Sequence, residues 1–564
     1  GESPLKYVFN MTTETTLLSA PPATTTLRTY DAGQTIPFLS GGFGYVGNEI
    51  VHMIVYNPNK TGSCRAFDNT MVLKRNHSKW VGSNSFGTQP TPDFDWQTGT
   101  GAAWANNQNG MYYRPGAITT AVSSYPNNFL YVLDYNNMSL QKLNMDTGAA
   151  LGRIGNTSAS CPTTGSGWDT AINRYLNGYC AHHFDAPQGV HSDIVAARNG
   201  TTTSGANSVT ALSATADLTV GLCVSGANVA VGTKIASIVD GTSITLNQNA
   251  TATGSASLSF GCLYVADSNN RRLVQYDSAG NFVAWLGNYG AGNDVWQTAA
   301  TVTDAVTLYN NGSIDNPKMF FVPWAITSDS TYLYVVDYGA RRIQRRNKNT
   351  GAFVDFAGNG YNGWSTVNPI PANNYGSSAG YLREPRGIVA TGGNLYIADE
   401  LNHRVVRINS SGVWTGWLGN GLDGWQAAFP VTGTSGSSAA KDFSSPAAIA
   451  TDGTYLYVAD RANNRISRWN IATGNFSGWI GHGRIGWEMT AAAPATDPYA
   501  GVSFYPPDYY AEPHGVVVVT QAQKGTRNDY LYITSVYNGR VTRINLSCVN
   551  SPGGTGCDPL YTFP

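Results

Sequence analysis

The sequence of 564 residues contains few charged side chains, because Asp, Glu, Lys and Arg together make up 12% of it, about half the share usual in soluble proteins. The 34 basic residues nearly balance the 35 acidic residues, and the formal net charge is −1. A chain without a basic excess has no electrostatic attraction for nucleic acids, and we expect none as a partner. No apolar run reaches the roughly 18 residues of a membrane-spanning helix, so membrane insertion is not expected.

Seven cysteines occur without any Cys-x-x-Cys motif, which argues against zinc ribbons, thioredoxin-like chemistry and covalently attached haem. Short separations predict three disulfides, namely Cys161–Cys180, Cys223–Cys262 and Cys548–Cys557. Cys64 is left either unpaired or bonded to another chain. Such cysteines favour an oxidising location, so we expect a secreted or cell-surface protein. Eleven Asn-x-Ser/Thr sequons make the chain a candidate glycoprotein.

A short segment of the type Leu-Tyr-Val-Ala-Asp recurs six times, at 130–134, 263–267, 333–337, 395–399, 456–460 and 531–535. A proline followed by a short apolar run precedes each copy. Five residues beyond the last position of the segment stands an arginine in every copy except the first, which has Ser139. A turn glycine and another apolar strand follow in most copies. Each repeat therefore predicts four short antiparallel strands.

Six repeats of four strands predict an all-β fold, a six-bladed β-propeller, because radial closure hides the edges of the sheets. The strings LYVADSNNRRLVQYDSAGNFVAWLG at 263–287 and LYIADELNHRVVRINSSGVWTGWLG at 395–419 resemble the NHL-repeat family of β-propellers. The resemblance extends over about 106–564. It implies the propeller fold and no particular activity.

Two regions fall outside this repeat pattern. Residues 1–105 precede the first repeat and contain strand-like pieces, so we predict an N-terminal β-region. Residues 199–260 form a Thr/Ser/Gly/Ala-rich stretch that separates the first two strands of the second repeat. Its alternation predicts a small β-domain inserted in blade two, and it resembles small β-modules of bacterial and phage surface proteins.

Two repeated motifs look catalytic and are interpreted as structural. Gly358–Trp364 matches a GxGxxG dinucleotide fingerprint, but similar strings recur at 419–425 and 481–487, and no amphipathic helix follows any of them. We predict loops between blades that carry a packed tryptophan. Pairs such as Asp399 and Arg404 recur in nearly every repeat, as expected of groups that bridge strands and bind turn amides.

Site candidates are the residues that differ among repeats, on either side of each proline, because propellers usually bind ligands at a channel mouth. For ligand binding we select Arg114, Gln188, Trp324, Arg386 and His514. Weaker candidates for acid–base catalysis are His514, Glu512, Glu384 and Arg386. Two interpretations stay open: an Arg–Glu network that closes the channel, or a ligand or catalytic site.

No metal site and no cofactor are predicted. Catalytic zinc needs three converging ligands, whereas only His191 and His514 among the eight histidines lie on or near first strands. Aromatic residues fill the long loops, where they either stack on sugars and protein partners or pack over the edge of their own blade. These residues are Trp296, Tyr361, Trp364, Trp425, Trp487, Tyr505, Tyr509 and Tyr510.

Two functions fit this sequence. The first is an extracellular structural or binding protein, such as an adhesin or a subunit of a surface assembly or filament. It would present aromatic loops to protein or glycan partners and self-assemble through the N-terminal segment. The second is a secreted hydrolase or lyase that acts at the channel mouth, with or without a metal. The first is the leading hypothesis, and enzymatic activity is left undecided with a leaning against it.

Overall fold

Most of the repeat region, and a few strands before it, are described by the computed structural model. The described residues are 6–13, 28–31, 49–56, 70–73, 78–82, 112, 114–121, 128–145, 148–155, 167–168, 183–287, 294–298, 317–367, 376–430, 436–482, 487–489, 492, 510–520, 529–537, 539–546 and 549. Within them, no helix is long and apolar enough to cross a membrane.

Six antiparallel sheets form the blades of a β-propeller. Their strands, from the innermost outwards, are as follows: blade 1, Pro115–Ala121, Phe129–Asp134, Ser139–Asn144 and Ala150–Ile154; blade 2, Pro187–Ser192, Cys262–Asp267, Arg272–Asp277 and Phe282–Gly287; blade 3, Pro323–Ser328, Tyr332–Asp337, Arg342–Asn347, Phe353–Gly358 and Tyr361–Ser365; blade 4, Pro385–Thr391, Asn394–Asp399, Arg404–Asn409 and Trp414–Leu418; blade 5, Pro446–Thr451, Tyr455–Asp460, Arg465–Asn470 and Phe476–Gly481; blade 6, Pro513–Val519, Tyr530–Ser535, Arg540–Asn545 and Ser78–Gly82. One-turn 3₁₀ helices, Glu400–Asn402 and Arg461–Asn463, follow the second strands of blades 4 and 5.

The ring of blades is closed. Each innermost strand contacts the innermost strands of both neighbouring blades, and that of blade 6 contacts that of blade 1. The outermost strand of blade 6 is Ser78–Gly82, which pairs antiparallel with Arg540–Asn545 although it precedes the first repeat in sequence. Ring closure by a strand from the other end of the chain joins the first and last parts of the propeller. The all-β propeller expected from the repeats is confirmed.

The remaining strands form two further sheets. A four-stranded sheet before the propeller has the order Arg28–Asp31, Lys6–Thr13, Glu49–Tyr56 and Thr70–Leu73. The insertion between the first two strands of blade 2 is a six-stranded sheet with the order Val224–Gly226, Gly254–Phe260, Val195–Thr202, Ser208–Thr210, Ile244–Leu246 and Ile235–Ile238. This inserted sheet has an apolar core of its own, with Val209, Leu258 and Phe260 fully or almost fully buried.

A buried aspartate at the end of the second strand fixes the entrance to blades 1 to 5, whereas blade 6 has Ser535 at this position. In blade 4, Asp399 Oδ1 accepts the backbone N–H of Arg383, 2.7 Å away, just before the first strand. Its Oδ2 accepts a 2.8 Å hydrogen bond from Arg404 Nε and another of the same length from Asn402 Nδ2. Arg404 then donates to the Tyr381 carbonyl at 2.9 Å. Equivalent Asp–Arg pairs are Asp267–Arg272, Asp337–Arg342 and Asp460–Arg465. The structural interpretation of the repeated Asp and Arg is confirmed.

Tryptophans of the loops between blades pack onto the blades themselves. The guanidinium of Arg345 lies 4.4 Å from the ring centroid of Trp364, and Trp364 Nε1 donates a 2.9 Å hydrogen bond to the Ser410 carbonyl of the next blade. Trp364 also lies against Tyr334, with ring centroids 6.0 Å apart. The same packing recurs for Trp168, Trp425 and Trp487. These indoles pack over their own blades, which was one of the two interpretations of the aromatic loops, and Trp364 also reaches the next blade through Ser410.

The other loop aromatics are placed differently. Tyr361 packs edge to face against Phe356, and Tyr510 is buried, whereas Tyr505 and Tyr509 lie outside the described residues. The GxGxxG-like string after blade 3 forms an antiparallel hairpin between Phe353–Gly358 and Tyr361–Ser365. A dinucleotide fingerprint would lead into a helix, so the structural interpretation is confirmed, although this string adds a fifth strand to blade 3 and is not a loop between blades.

The insertion supplies a cation that blade 2 lacks. The third-strand position occupied by Arg345, Arg407 and Arg468 in blades 3 to 5 is Gln275 in blade 2. Lys234 of the insertion donates to Gln275 Oε1 at 2.7 Å, and its ammonium lies 5.4 Å from the ring centroid of Trp296. Burial lowers the pKa of Lys234 to about 8. The insertion thus completes the stacking arrangement of the other blades with a side chain of its own.

A disulfide anchors the insertion to blade 2. Cys223 is bonded to Cys262, the first residue of the second strand of blade 2, and both residues are completely buried. Ser225 Oγ also lies 2.7 Å from Ser278 Oγ at the outer turn of the blade. This predicted disulfide is confirmed, while Cys64, Cys161, Cys180, Cys548 and Cys557 lie outside the described residues.

Replacing Lys234 with alanine should lower the thermal midpoint of unfolding. The change removes a cation–π contact and a charged hydrogen bond, a loss of about 1–2 kcal/mol. Adding Gln275→Arg to Lys234→Ala should recover most of the loss, because the arginine restores the residue that the other blades use. The control is Lys441→Ala, whose exposed ion pair with Asp423 contributes little. A midpoint unaffected by Lys234→Ala would contradict this role of the insertion.

Replacing both Cys223 and Cys262 with serine should lower the free energy of unfolding by up to about 4 kcal/mol, as estimated for the 39-residue separation of the two cysteines. Chemical denaturation of the purified double variant measures the loss. Ser225→Ala, which removes only the hydroxyl contact across the same interface, should cost at most about 1 kcal/mol. Equal losses in the two proteins would show that the covalent bond itself adds nothing.

Candidate functional site

The six innermost strands surround a central cavity of about 350 Å³. The residue after each proline lines its end nearest the prolines, which we call the proline-side mouth. Those residues are Gly116, Gln188, Trp324, Arg386, Ala447 and His514. The residue before the proline is turned by a left-handed backbone in several blades, with φ of 56° at Glu384 and 47° at Glu512. The structure therefore brings four of the five predicted ligand-binding residues to one cavity, and the fifth, Arg114, lies two residues before Gly116.

Close approach of the innermost strands makes the passage narrow. A Cβ added at Gly387, two residues after its proline, would lie 2.7 Å from the carbonyl oxygen of Ala447 in the next blade. β-branched residues line the cavity one position further on, namely Ile118, Val190, Ile326, Ile388, Ile449 and Val516, each 5–7% exposed. The cavity thus has polar residues at the mouth, an apolar passage below it, and polar residues such as His191 and Ser328 at its opposite end.

An ion-pair network crosses the mouth over blades 4, 5 and 6. Glu400 pairs with Arg386 through one oxygen and with Arg461 Nη2, 2.6 Å away, through the other. Arg461 Nη1 continues to Glu512 Oε2 at 3.1 Å. Glu384 accepts a 2.6 Å hydrogen bond from the hydroxyl of Tyr338 in blade 3. The Arg–Glu network that was one of the two sequence interpretations is present on this side of the mouth.

Glu400 and Arg461 are functional-site residues that the sequence analysis missed. Each directly follows the repeated aspartate of its blade, at a position that reads Tyr135, Ser268, Tyr338, Glu400, Arg461 and Val536 around the ring. This variation among the blades could have identified the position from the sequence, just as the variation beside the prolines identified the other candidates. In blades 2 to 5 the neighbouring aspartate is itself fixed by its arginine, so this position is held near the mouth.

Trp324 is committed to contacts within the protein. Its ring lies 4.6 Å from the ring of Tyr338, and the guanidinium of Arg386 lies 4.5 Å from its centroid. Trp324, which was predicted to bind a ligand, thus holds Arg386 in place beside Glu400.

His514 is a neutral imidazole in a positive environment. Its Nδ1 lies 3.2 Å from the carbonyl oxygen of Glu512 and therefore carries the proton. Burial, followed by the charges of Arg386, Arg461 and Arg114, lowers the pKa of His514 to about 3. Nε2 is left as an acceptor, and it has no hydrogen-bond partner among the described residues.

Blades 1 and 2 contribute polar groups that are not part of the network. The backbone N–H of Arg114 donates to Asp134 Oδ1 at 3.0 Å, and its guanidinium lies 5.9 Å from the ring centroid of Tyr537. Within the described part of the chain, the Arg114 guanidinium has no carboxylate partner and the Gln188 amide has no hydrogen bond. The mouth is therefore internally paired on one side and available to a ligand on the other.

The opposite end of the cavity carries the second channel histidine. His191 Nε2 lies 2.9 Å from Ser328 Oγ of the next blade, and its ring stacks on Tyr264. Burial lowers the pKa of His191 to about 4, an effect that Lys348 reinforces and Asp193 opposes. Among the residues that the structure describes, no three His, Cys, Asp or Glu side chains come together as a metal site.

Acid should destabilise the propeller through its two channel histidines. An unfolded histidine has a pKa near 6.5, whereas these two bind protons only near pH 4 and pH 3 in the folded state. The unfolded chain therefore takes up more protons as the pH falls from 6.5 towards 4, and the free energy of unfolding decreases over that range. Denaturation at pH 7 and pH 5 should show a smaller decrease for His191→Gln than for the parent protein. If His191→Gln and the parent protein lose the same free energy of unfolding between pH 7 and pH 5, the assignment to His191 is contradicted.

Comparison with other proteins identifies fold likeness only. No protein-family model matches the sequence, and no curated protein matches it. A protein of unknown function from Bacteroides thetaiotaomicron matches with a TM-score of 0.37 and 11% identity, over 96% of this chain and 90% of that one. Virginiamycin B lyase from Staphylococcus aureus matches with a TM-score of 0.31 and 12% identity, over 78% of this chain and 97% of that one. A streptogramin B lyase matches with a TM-score of 0.32 and 11% identity, over 78% and 95%. The chain is thus similar in structure to β-propeller proteins.

Proposed function

We propose that this chain is an extracellular binding protein whose ligand site is the proline-side mouth of the propeller. The observation that carries this proposal is the asymmetry of the mouth. Arg386, Glu400 and Arg461 satisfy one another on one side, whereas Arg114 and Gln188 have available polar groups on the other. Polar groups that converge at the mouth of a cavity are typical of ligand sites.

Binding is favoured over catalysis because the candidate acid–base groups are engaged. Glu512 is held by Arg461, and Glu384 accepts the hydrogen bond of Tyr338. With a pKa of about 3, His514 has no proton to donate as an acid near neutral pH and is a weak base. A secreted hydrolase or lyase acting here would need these groups released from their present partners.

The extracellular location is supported by the Cys223–Cys262 disulfide, since such bonds persist in oxidising compartments. We further propose that the repeats are relatives of the NHL repeats, on the strength of the LYVAD-like second strands. Other protein subunits and glycans are the proposed partners. Self-assembly through the N-terminal segment would take the form of strand exchange, because Lys6–Thr13 already pairs on both edges within its own sheet.

Blocking the mouth should abolish ligand binding without unfolding the protein. A Cβ at Gly116 would have Leu133 O at 3.8 Å as its nearest neighbour, so Gly116→Phe places a ring at the mouth without a backbone clash. The matched control is Gly241→Phe on the insertion, where a Cβ meets nothing within 4 Å. An array of immobilised neutral and acidic oligosaccharides, probed with the labelled protein, should retain the parent and the control but not Gly116→Phe.

Two results would contradict the proposal. Retention of Gly116→Phe on the same glycans as the parent would place the contact on another surface. If the array retains none of the three proteins, glycans are not the partner and the mouth is not a glycan site. Circular dichroism of each variant confirms that the propeller is intact before the array is read.

A further inference from the structure

The available groups at the mouth define the chemistry of its ligand. Arg114 belongs to blade 1, Gln188 to blade 2 and His514 to blade 6, so the three come from consecutive blades around the ring. Between them lies Gly116, which has no side chain to fill the space. A small group that enters at Gly116 meets Gln188 and His514 of the cavity lining, beside Arg114 two residues earlier in the chain, before it reaches the apolar passage below.

Arg114 is the cation of the mouth that has no counter-ion among the described residues. Arg386 and Arg461 are held by Glu400 and Glu512. The guanidinium of Arg114 offers planar, forked donors that match a carboxylate. The Gln188 amide adds a neutral donor on the same side. An anionic group of the ligand is therefore expected at Arg114.

His514 requires a different group on the same ligand. Since Nδ1–H donates to the Glu512 carbonyl, Nε2 presents a lone pair to the cavity. A lone pair is satisfied by a donor such as a hydroxyl, and it does not bind a carboxylate oxygen. The ligand thus needs an acceptor anion and a hydroxyl donor close together.

We infer that the proline-side mouth binds the uronic acid residue of an acidic saccharide. Arg114 and Gln188 bind its carboxylate, while a ring hydroxyl donates to His514 Nε2. The β-branched residues beneath the mouth, which leave little room, restrict recognition to one sugar residue at the rim. This inference rests on the proposed function and specifies the ligand class of the same site.

Titration calorimetry with D-glucuronate, D-glucose and acetate tests the inference on the full chain. Glucuronate should bind the parent protein more tightly than either acetate, which lacks the hydroxyls, or glucose, which lacks the carboxylate. Arg114→Gln should weaken glucuronate binding roughly 10- to 100-fold, as expected for loss of a charge-assisted hydrogen bond. The control Arg198→Gln removes the same charge from the insertion and should leave the affinity unchanged.

A second variant separates the two groups of the ligand. His514→Phe removes the acceptor and should weaken glucuronate binding while leaving acetate binding nearly unchanged. Glucose that binds the parent as tightly as glucuronate does would overturn the acidic class but keep the mouth as a site. Glucuronate that binds Arg114→Gln and Arg198→Gln equally would also overturn the inference. The inference is also overturned if glucuronate does not bind the parent protein. The proposed function fails on different results: if Gly116→Phe still binds the array as the parent does, or if no glycan on the array retains the parent.

Discussion

The buried carboxylate at the end of the second strand, present in blades 1 to 5, is the interaction on which the propeller depends. Asp399 binds a backbone amide at the start of the blade, an asparagine on the following turn and an arginine on the third strand. A completely buried carboxylate is costly unless all of these partners are present. Because the amide it binds lies just before the proline, each aspartate also fixes the direction in which the chain enters the central passage. The same bond that stabilises a blade therefore positions the residues of the mouth.

The tryptophans of the loops between blades join neighbouring blades. Trp364 and its equivalents stack between a tyrosine and a cation of one blade, and several donate to a carbonyl of the next. A protein with few charges can use its arginines in this way because the ring faces partly shield the buried guanidinium groups. Blade 2 shows that the arrangement matters, since Lys234 of the insertion takes the place of the missing third-strand arginine.

One half of the mouth is held together by ion pairs, and the other half has polar groups that a ligand could contact. Blades 4 to 6 contribute the network of Arg386, Glu400, Arg461 and Glu512, which resists insertion of a ligand because each charge would lose a partner. Blades 1 and 2 are connected to it by no ion pair among the described residues, and Arg114 has no carboxylate partner there. The two interpretations that the sequence left open therefore apply to different sides of the same ring.

The sequence alone determined the blade count, the structural role of the repeated Asp and Arg, and the disulfide at Cys223–Cys262, because each of these depends on spacing that recurs or on residues close along the chain. It also selected the positions beside the prolines. The tertiary structure alone decided how those positions interact. Glu400 and Arg461 joined the network, Trp324 became a support for Arg386, and Ser78–Gly82 completed the last blade. Each of these contacts joins residues of different repeats, and pairing across a ring depends on distances that no local sequence pattern encodes.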